Sequence, residues 1–239
     1  MVGAGVMGSG IAQVLAVAGY EVICRDVDPK VLDAARNNVD SGRYGVRSAV
    51  QRGKLTEPQA DAALARLSFT TDVDALADSQ VIIEAIPEIF DLKLRFWREL
   101  DAIVAESSIF ASNSSGFPVS AMAAATNRAD RFLGWHWASP APVMKLAEII
   151  RGRMTSDATV ETVVAMASNA GKHPVVINDT DTSWGYVTNR VYFAMVREAM
   201  AVVEEGVAER DQVDQLMVDC FRWPTGPFGM ARGATSGWN

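Results

Sequence analysis

The sequence predicts an α/β fold in which a doubly wound, mostly parallel sheet is followed by a smaller all-α domain. Strand-like and helix-like segments alternate through the first three-quarters of the 239 residues, as successive βα units require. Beyond residue 177 the hydrophobic pattern is purely helical. We therefore divide the chain into an α/β domain, 1–180, and a helical domain, 181–239.

The first element is a glycine-rich turn, Gly3-Ala4-Gly5-Val6-Met7-Gly8, with the spacing of a dinucleotide-binding loop. In a Rossmann-type loop the first glycine permits a tight turn, the second lets a pyrophosphate approach the backbone, and the third allows close packing. The following helix offers its N-terminal N–H groups to the phosphate. Asp26 ends the next predicted strand, where a carboxylate binds a ribose 2′-hydroxyl. These residues predict NAD binding.

Only Met1 and Val2 precede the glycine loop, whereas a strand has about five residues. This strand is central in a doubly wound sheet, so a short one leaves buried backbone groups of its neighbours unpaired. The first strand is either a stub or continues into residues that precede Met1. We expect the second.

The remaining elements follow in order. Asp28-Pro29 starts a long polar helical stretch that runs to Gln51, and Thr56 opens another helix through a capping box. Residues 29–66 therefore form a helical insertion. Helices are also predicted near 158–171, 186–205 and 211–221. Short apolar runs predict strands at 81–83, 109–111, 132–134, 143–150 and 175–177.

Composition excludes several kinds of partner. A net charge of −7 leaves no cationic excess for nucleic acid or an anionic membrane surface. The longest uncharged runs, residues 1–20 and 107–127, are interrupted by glycine and polar residues, so neither predicts a helix that spans a bilayer. The two cysteines, Cys24 and Cys220, make no disulfide framework and fit a reducing compartment. We expect a cytoplasmic protein that has no bound metal.

His136 is the candidate general base. It lies at the end of a predicted strand, and ligands of open α/β sheets gather outside the carboxyl ends of strands. Glu148 lies on the next apolar strand, where a charge needs a partner. In a His–Glu pair the carboxylate fixes the imidazole tautomer and stabilises its cation. The alternative is a buried pair without a catalytic role.

Further polar candidates lie at other element ends. Four small polar residues follow the strand 109–111 and are suited to hold a nicotinamide or a substrate hydroxyl, although a helix cap and turn uses the same residue types: Ser112, Asn113, Ser114 and Ser115. Asn189 lies early in the helix after the domain boundary, where its amide can bind a carbonyl if that helix end faces the cleft. Glu84 and Glu88 either contact the cofactor or are ordinary loop carboxylates.

Taken together, these segments resemble the 3-hydroxyacyl-CoA dehydrogenase family in order and over nearly the whole chain. The resemblance implies NAD-linked oxidation of an L-3-hydroxyacyl-CoA to its 3-ketoacyl-CoA. It implies that His136 takes the hydroxyl proton and that Glu148 orients His136. The matching segments are Gly3 to Ala12, Glu84-Ala85-Ile86-Pro87-Glu88, Ser112-Asn113-Ser114-Ser115, Pro140 to Glu148, Asn189-Arg190, Glu204 to Ala208 and Gly226-Pro227-Phe228.

The same resemblance implies binding roles. Ser115 and Asn189 match positions that hold the substrate hydroxyl and thioester region. Glu88 and Lys93 match cofactor-contacting positions near the nicotinamide ribose, and the insertion around Lys54 lies where the family meets CoA. An acyl-CoA substrate and a homodimer follow from the family, with 181–239 a short or truncated substrate and dimerisation domain.

Several positions depart from the family pattern. Ser139 stands in place of an asparagine, Gly116 in place of a commoner serine, and Trp184 in place of the proline of a Pro-Gly-Phe segment. The acyl-chain length is therefore open. The alternatives are a dehydrogenase of another 3-hydroxy acid, of the carnitine or sugar-acid type, and a nucleotide-binding relative without turnover.

Overall fold

The structure is a computed structural model that describes residues 1–236, with side chains as far as residue 231. The chain forms two compact units, Met1–Trp184 and Gly185–Asn239. The first contains a mostly parallel sheet with helices, and the described part of the second contains helices only. The predicted fold class is confirmed.

The sheet of the first unit has one antiparallel pair, β5 with β6, and its other strand pairs are parallel. Its strands are β1 (Val22–Arg25), β2 (Leu67–Thr70), β3 (Val81–Glu84), β4 (Ile109–Ser112), β5 (Phe132–Trp137), β6 (Leu146–Arg151) and β7 (His173–Asn178). Strands β3 to β7 lie side by side in chain order, and β1 pairs with β2.

Val2 joins these two groups of strands. Its N–H donates to the Ile83 carbonyl at 2.8 Å, and its own carbonyl accepts from the Ala85 N–H at 2.8 Å. On the other side, the Gly3 N–H donates to the Arg25 carbonyl at 2.9 Å. Val2 thus occupies the central position between β1 and β3.

The helices of the first unit are α1 (Val6–Val17), α2 (Pro29–Asp40), α3 (Val46–Gln51), α4 (Glu57–Ala65), α5 (Phe90–Asp101), α6 (Val119–Ala123) and α7 (Asp157–Asn169), with single 3-10 turns at Asp74–Leu76 and Ala129–Arg131. The predicted caps are confirmed: Asp28 accepts from the Lys30 N–H, and Thr56 forms a capping box with Gln59.

Two details of the predicted elements are wrong. The helical stretch to Gln51 is interrupted between α2 and α3, because the chain turns back at Gly42 and Gly45. A Cβ at Gly42 would lie 2.6 Å from the Asn38 carbonyl oxygen, so only glycine fits there. The strand predicted from residue 143 begins instead at Leu146, because residues 140–145 form a loop in which the Val143 N–H donates to the Pro140 carbonyl.

Strand β2 was not predicted. It pairs only with β1, its side chains are partly or fully exposed, and it contains Ser68 and Thr70. An edge strand of this kind lacks the continuous apolar run that marks the central strands.

An aromatic cluster supports β4 and β5. The Trp97 ring of α5 lies 4.7 Å from the Phe110 ring and 4.9 Å from the Phe132 ring, measured between centroids. All three side chains are fully buried, and each contributes about 1.5–3 kcal/mol to folding. The carboxyl ends of β4 and β5 therefore extend from a well-packed aromatic core.

The second unit contains α8 (Thr188–Glu204), α9 (Arg210–Phe221) and α10 (Pro227–Ser236). Helix α8 ends before Gly206, whose φ is +70°. The Asp214 carboxylate of α9 accepts from the N–H groups of Phe228 and Gly229 at 2.8 and 2.9 Å, which caps α10. Among residues 1–236, no helix has both the length and the apolar character needed to cross a membrane.

Candidate active site

The site candidates of the first unit lie along the carboxyl edge of the sheet. Strands β3, β4 and β5 are parallel, so their carboxyl ends meet at one edge. Asn113 connects the three ends: its N–H donates to the Glu84 carbonyl at 2.8 Å, and its Oδ1 accepts from the Trp137 N–H at 2.9 Å. The structure therefore places Asn113 beside the strand that carries His136.

His136 and Glu148 form a direct pair. They face each other in the antiparallel register of β5 and β6, and the Nδ1–Oε2 distance is 2.6 Å. Both are buried, with 7% and 3% of their surface exposed. A carboxylate accepts hydrogen bonds, so Nδ1 carries the proton of the neutral imidazole and Nε2 carries the lone pair. This is the tautomer that a general base uses.

Glu88 holds the backbone after β4. Its Oε1 accepts from the Ser114 hydroxyl at 2.5 Å and from the Ser115 N–H at 2.9 Å. Its Oε2 lies 3.2 Å from the Lys93 Nζ. Glu88 thus fixes the segment that contains Ser115. Ser114 belongs to the polar run 112–115 that the sequence singled out, and the structure gives it a contact with Glu88.

Lys93 is 1% exposed and is surrounded by acceptors. Its ammonium contacts the Glu84 carboxylate and donates to the Ile86 carbonyl at 3.2 Å. Glu84 also accepts from the Ser112 hydroxyl at 2.8 Å. Burial raises the pKa of Glu84, and the Lys93 charge opposes that shift. Lys93 therefore balances two carboxylates, Glu84 at the end of β3 and Glu88 in the loop that follows it, and its contact with a cofactor stays a prediction.

The glycine loop fits a dinucleotide. Gly3 has φ of +85°, and a Cβ there would lie 2.5 Å from the Ala85 carbonyl oxygen. A Cβ at Gly8 would lie 1.7 Å from the Gly3 carbonyl oxygen, whereas one at Gly5 would meet no described atom within 4 Å. Gly3 and Gly8 are thus required by the turn itself, and Gly5 presents bare backbone to open space.

Helix α1 begins directly after this loop, at Val6. No side chain of the described residues caps its N-terminus, so the N–H groups of the Val6-Met7 turn suit a phosphate. Asp26 lies in a neighbouring cavity of about 800 Å3 that is also lined by Ile86 and Phe96. Its Oδ2 accepts from the Ala4 N–H at 2.7 Å, and a carboxylate has lone pairs left for a ribose hydroxyl. The residues present therefore fit NAD.

One predicted substrate residue of the first unit lies apart from this cluster. Lys54 lines a separate cavity of about 340 Å3 together with the cationic side chains of Arg52 and Lys145. Asn189 is in the first turn of α8, in the second unit. Among the described side chains, no group of three or more His, Cys, Asp or Glu residues is placed to hold a metal ion.

The chain matches known families over both units. Residues 1–180 match the model of the 3-hydroxyacyl-CoA dehydrogenase NAD binding domain, and residues 185–238 match that of the 3-hydroxyacyl-CoA dehydrogenase C-terminal domain. A probable 3-hydroxybutyryl-CoA dehydrogenase of Deinococcus radiodurans is 38% identical over 97% of this chain and 81% of its own.

Solved structures that resemble this chain include members of the same family. The (S)-3-hydroxybutyryl-CoA dehydrogenase of Ralstonia eutropha is 39% identical with a TM-score of 0.91, over 96% of this chain and 79% of that one. A diketoreductase that acts on dicarbonyl compounds is 30% identical with a TM-score of 0.86, over 96% and 80%. The chain therefore belongs to the 3-hydroxyacyl-CoA dehydrogenase family of NAD-dependent oxidoreductases, and residues 1–180 correspond to its NAD-binding domain.

Proposed function

We propose that this protein interconverts an L-3-hydroxyacyl-CoA and its 3-ketoacyl-CoA, with His136 as the general base. The observation that carries the proposal is the buried 2.6 Å contact between His136 Nδ1 and Glu148 Oε2 at the edge of the sheet where the glycine loop lies. A histidine aligned by a carboxylate beside a nucleotide site is suited to dehydrogenation of an alcohol.

In the oxidation direction, His136 Nε2 takes the proton of the substrate C3 hydroxyl while the C3–O bond becomes a carbonyl. When bound, NAD supplies the acceptor for the hydrogen and electron pair that leave C3. Glu148 holds the ring and stabilises the imidazolium that results. In the reverse direction His136 returns the proton to the carbonyl oxygen. His136 thus ends the oxidation protonated and ends the reduction neutral.

The other candidate residues receive binding roles in this proposal. Ser115, fixed by Glu88, holds the substrate hydroxyl, and Asn113 holds the nicotinamide side of the site. Asn189 binds the thioester region. Val6 and Met7 bind the pyrophosphate through their N–H groups, with Gly3, Gly5 and Gly8 shaping the loop. Asp26 binds the adenosine ribose, and Glu88 and Lys93 lie toward the nicotinamide ribose.

The two domains have different binding roles in this proposal. Domain 1–180 binds NAD, with Lys54 and Arg52 of its insertion 29–66 facing the phosphates of CoA. Domain 181–239 contributes to substrate binding and to a homodimer. We place the protein in the cytoplasm, as the absence of a disulfide framework led us to expect.

A second candidate is a dehydrogenase of another 3-hydroxy acid, of the carnitine or sugar-acid type. The likeness to a diketoreductase and the changed residues Ser139, Gly116 and Trp184 favour a substrate pocket that differs from the usual one. The two candidates are separated by three substrates: acetoacetyl-CoA, free acetoacetate and 3-dehydrocarnitine. The reduction of each is measured by the loss of NADH absorbance.

The proposed function predicts saturable NADH oxidation with acetoacetyl-CoA and at least tenfold lower kcat/KM with the two free acids. A higher kcat/KM with either free acid than with acetoacetyl-CoA selects the second candidate. NADH binding without turnover of any of the three identifies a nucleotide-binding relative instead.

A further inference from the structure

The loop 140–145 connects the two catalytic strands. It follows β5, which carries His136, and leads into β6, which carries Glu148. Two of its carbonyls, those of Ala141 and Met144, accept hydrogen bonds from the Lys172 Nζ at 2.6 and 2.7 Å. Lys172 belongs to the turn before β7 and is 6% exposed. A single buried ammonium therefore holds both sides of this loop.

The Lys172 ammonium is hydrogen-bonded in a buried environment that disfavours its charge. A buried ammonium is tolerated only when it is hydrogen-bonded, and bonds from a charged donor are about twice as strong as neutral ones. Burial, and secondarily the charge of Lys145, lowers the pKa of Lys172 to about 8, so the ammonium is the main form at pH 7. Its Nζ also lies 5.1 Å from the centre of the Trp137 ring, next to His136 in β5.

The opposite side of the loop packs against α1. A Cβ at Gly10 would lie 3.3 Å from both the Ala141 Cβ and the Pro142 Cδ, so helix and loop approach closely. The loop is therefore confined between α1 and the Lys172 ammonium. A shift of the loop moves the adjoining ends of β5 and β6, where the His136 and Glu148 side chains face each other.

We infer that Lys172 is a positioning residue for the His136–Glu148 pair, acting through the backbone of loop 140–145. Lys172 bonds to backbone carbonyls on that loop, so its effect on the reaction passes through the positions of the two strands. The inference rests on the proposed function and adds to it a residue that fixes the geometry of the base.

The test compares Lys172→Met, which removes the charge and both donors, with Lys172→Arg, which restores them. Misplacement by about 1 Å costs up to about 100-fold in rate. We expect Lys172→Met to lower kcat for acetoacetyl-CoA by about 10- to 100-fold, with Kd for NADH changed less than about threefold. Lys172→Arg should recover most of the lost kcat. The matched control is Arg131→Met at the other end of β5, with kcat within about twofold of wild type.

Hydrogen exchange supplies a readout that is independent of turnover. The N–H groups of Val143 and Met144 both donate to the Pro140 carbonyl within the loop. We expect them to exchange at least about tenfold faster in Lys172→Met, and at the wild-type rate in Arg131→Met. If Lys172→Met does not fold, Lys172→Gln carries the same comparison.

Two outcomes overturn the inference. One is a folded Lys172→Met protein with wild-type kcat, whatever its exchange rates or melting temperature. The other is a loss of kcat with unchanged exchange at Val143 and Met144. Absence of turnover in the wild-type protein instead contradicts the proposed function, and the exchange rates then still test whether Lys172 holds the loop.

Discussion

Alanine substitutions at Gly8 and Gly5 separate the glycine that the turn requires from the glycine that the ligand requires. A Cβ at Gly8 would overlap the Gly3 carbonyl oxygen at 1.7 Å, so the backbone has to move. A Cβ at Gly5 would meet no atom of the described residues within 4 Å, and the Gly5 φ of −61° is accessible to alanine. Gly8→Ala is therefore expected to change the stability of the protein, and Gly5→Ala to change its affinity for NADH.

For Gly8→Ala we expect a loss of at least ~2 kcal/mol in the free energy of unfolding, because both clashing groups are buried backbone. For Gly5→Ala the lower entropy of the unfolded chain adds about 0.4–1 kcal/mol of stability, and the loss of glycine at the helix N-cap offsets a similar amount. Its stability should thus stay within about 1 kcal/mol of wild type. Its methyl group would still occupy the space above the loop, where we place the pyrophosphate.

The assay pairs urea unfolding of the cofactor-free protein with titration of NADH fluorescence. We expect Kd for NADH to rise at least about tenfold in Gly5→Ala, since the methyl group displaces the phosphate from the loop N–H groups. Gly19→Ala is a control for stability alone, because Gly19 has φ of +100° and lies beyond the end of α1. Wild-type NADH affinity in Gly5→Ala would refute the placement of the pyrophosphate. Wild-type stability in Gly8→Ala would refute the steric argument.

Three further predictions concern charge. Glu148→Gln keeps a hydrogen-bonding side chain but removes the charge beside the imidazolium. We expect kcat for acetoacetyl-CoA to fall about 10- to 1,000-fold, with unchanged Kd for NADH. An unchanged kcat contradicts the role of Glu148 in the pair. Asp26→Ser should reduce the preference for NADH over NADPH at least about tenfold in kcat/KM, and a wild type that already prefers NADPH contradicts the role given to Asp26. The lowered pKa of Lys172, about 8 against 10.5, means that the unfolded chain binds more protons between these values, so this residue's contribution to stability rises with pH from 8 to 10.5. Urea unfolding at pH 7.5 and 9.5 should show that rise in the wild type relative to Lys172→Met, and parallel curves contradict it.

The sequence predicted the parts of the site that depend on strand ends. His136 was expected at the end of a strand and Glu148 on the next one, and the register of β5 and β6 places them opposite each other. The glycine loop was expected from its spacing, and the close approach of Gly3 to the Ala85 carbonyl explains it. These features follow from local pattern and from the general geometry of parallel sheets.

Other parts depend on distant contacts that no local pattern contains. Lys172 reaches loop 140–145 from the start of the neighbouring strand β7, 28 to 31 residues later in the chain, and the sequence showed only a lysine in a turn. Lys93 was assigned to the cofactor, although its nearest described partners are the Glu84 and Glu88 carboxylates. Strand β2 has a mixed, half-exposed pattern because it pairs with one neighbour only.

The central claim is that His136 is the base of a 3-hydroxyacyl-CoA dehydrogenase, and its most direct test uses the two histidines of the chain. NADH oxidation by acetoacetyl-CoA is measured for the wild type, His136→Gln and His173→Gln; His173 is exposed on β7 and serves as the matched control. We predict that kcat falls about 100- to 10,000-fold in His136→Gln, with unchanged Kd for NADH, and stays at the wild-type value in His173→Gln. Equal kcat in His136→Gln and wild type would contradict the account.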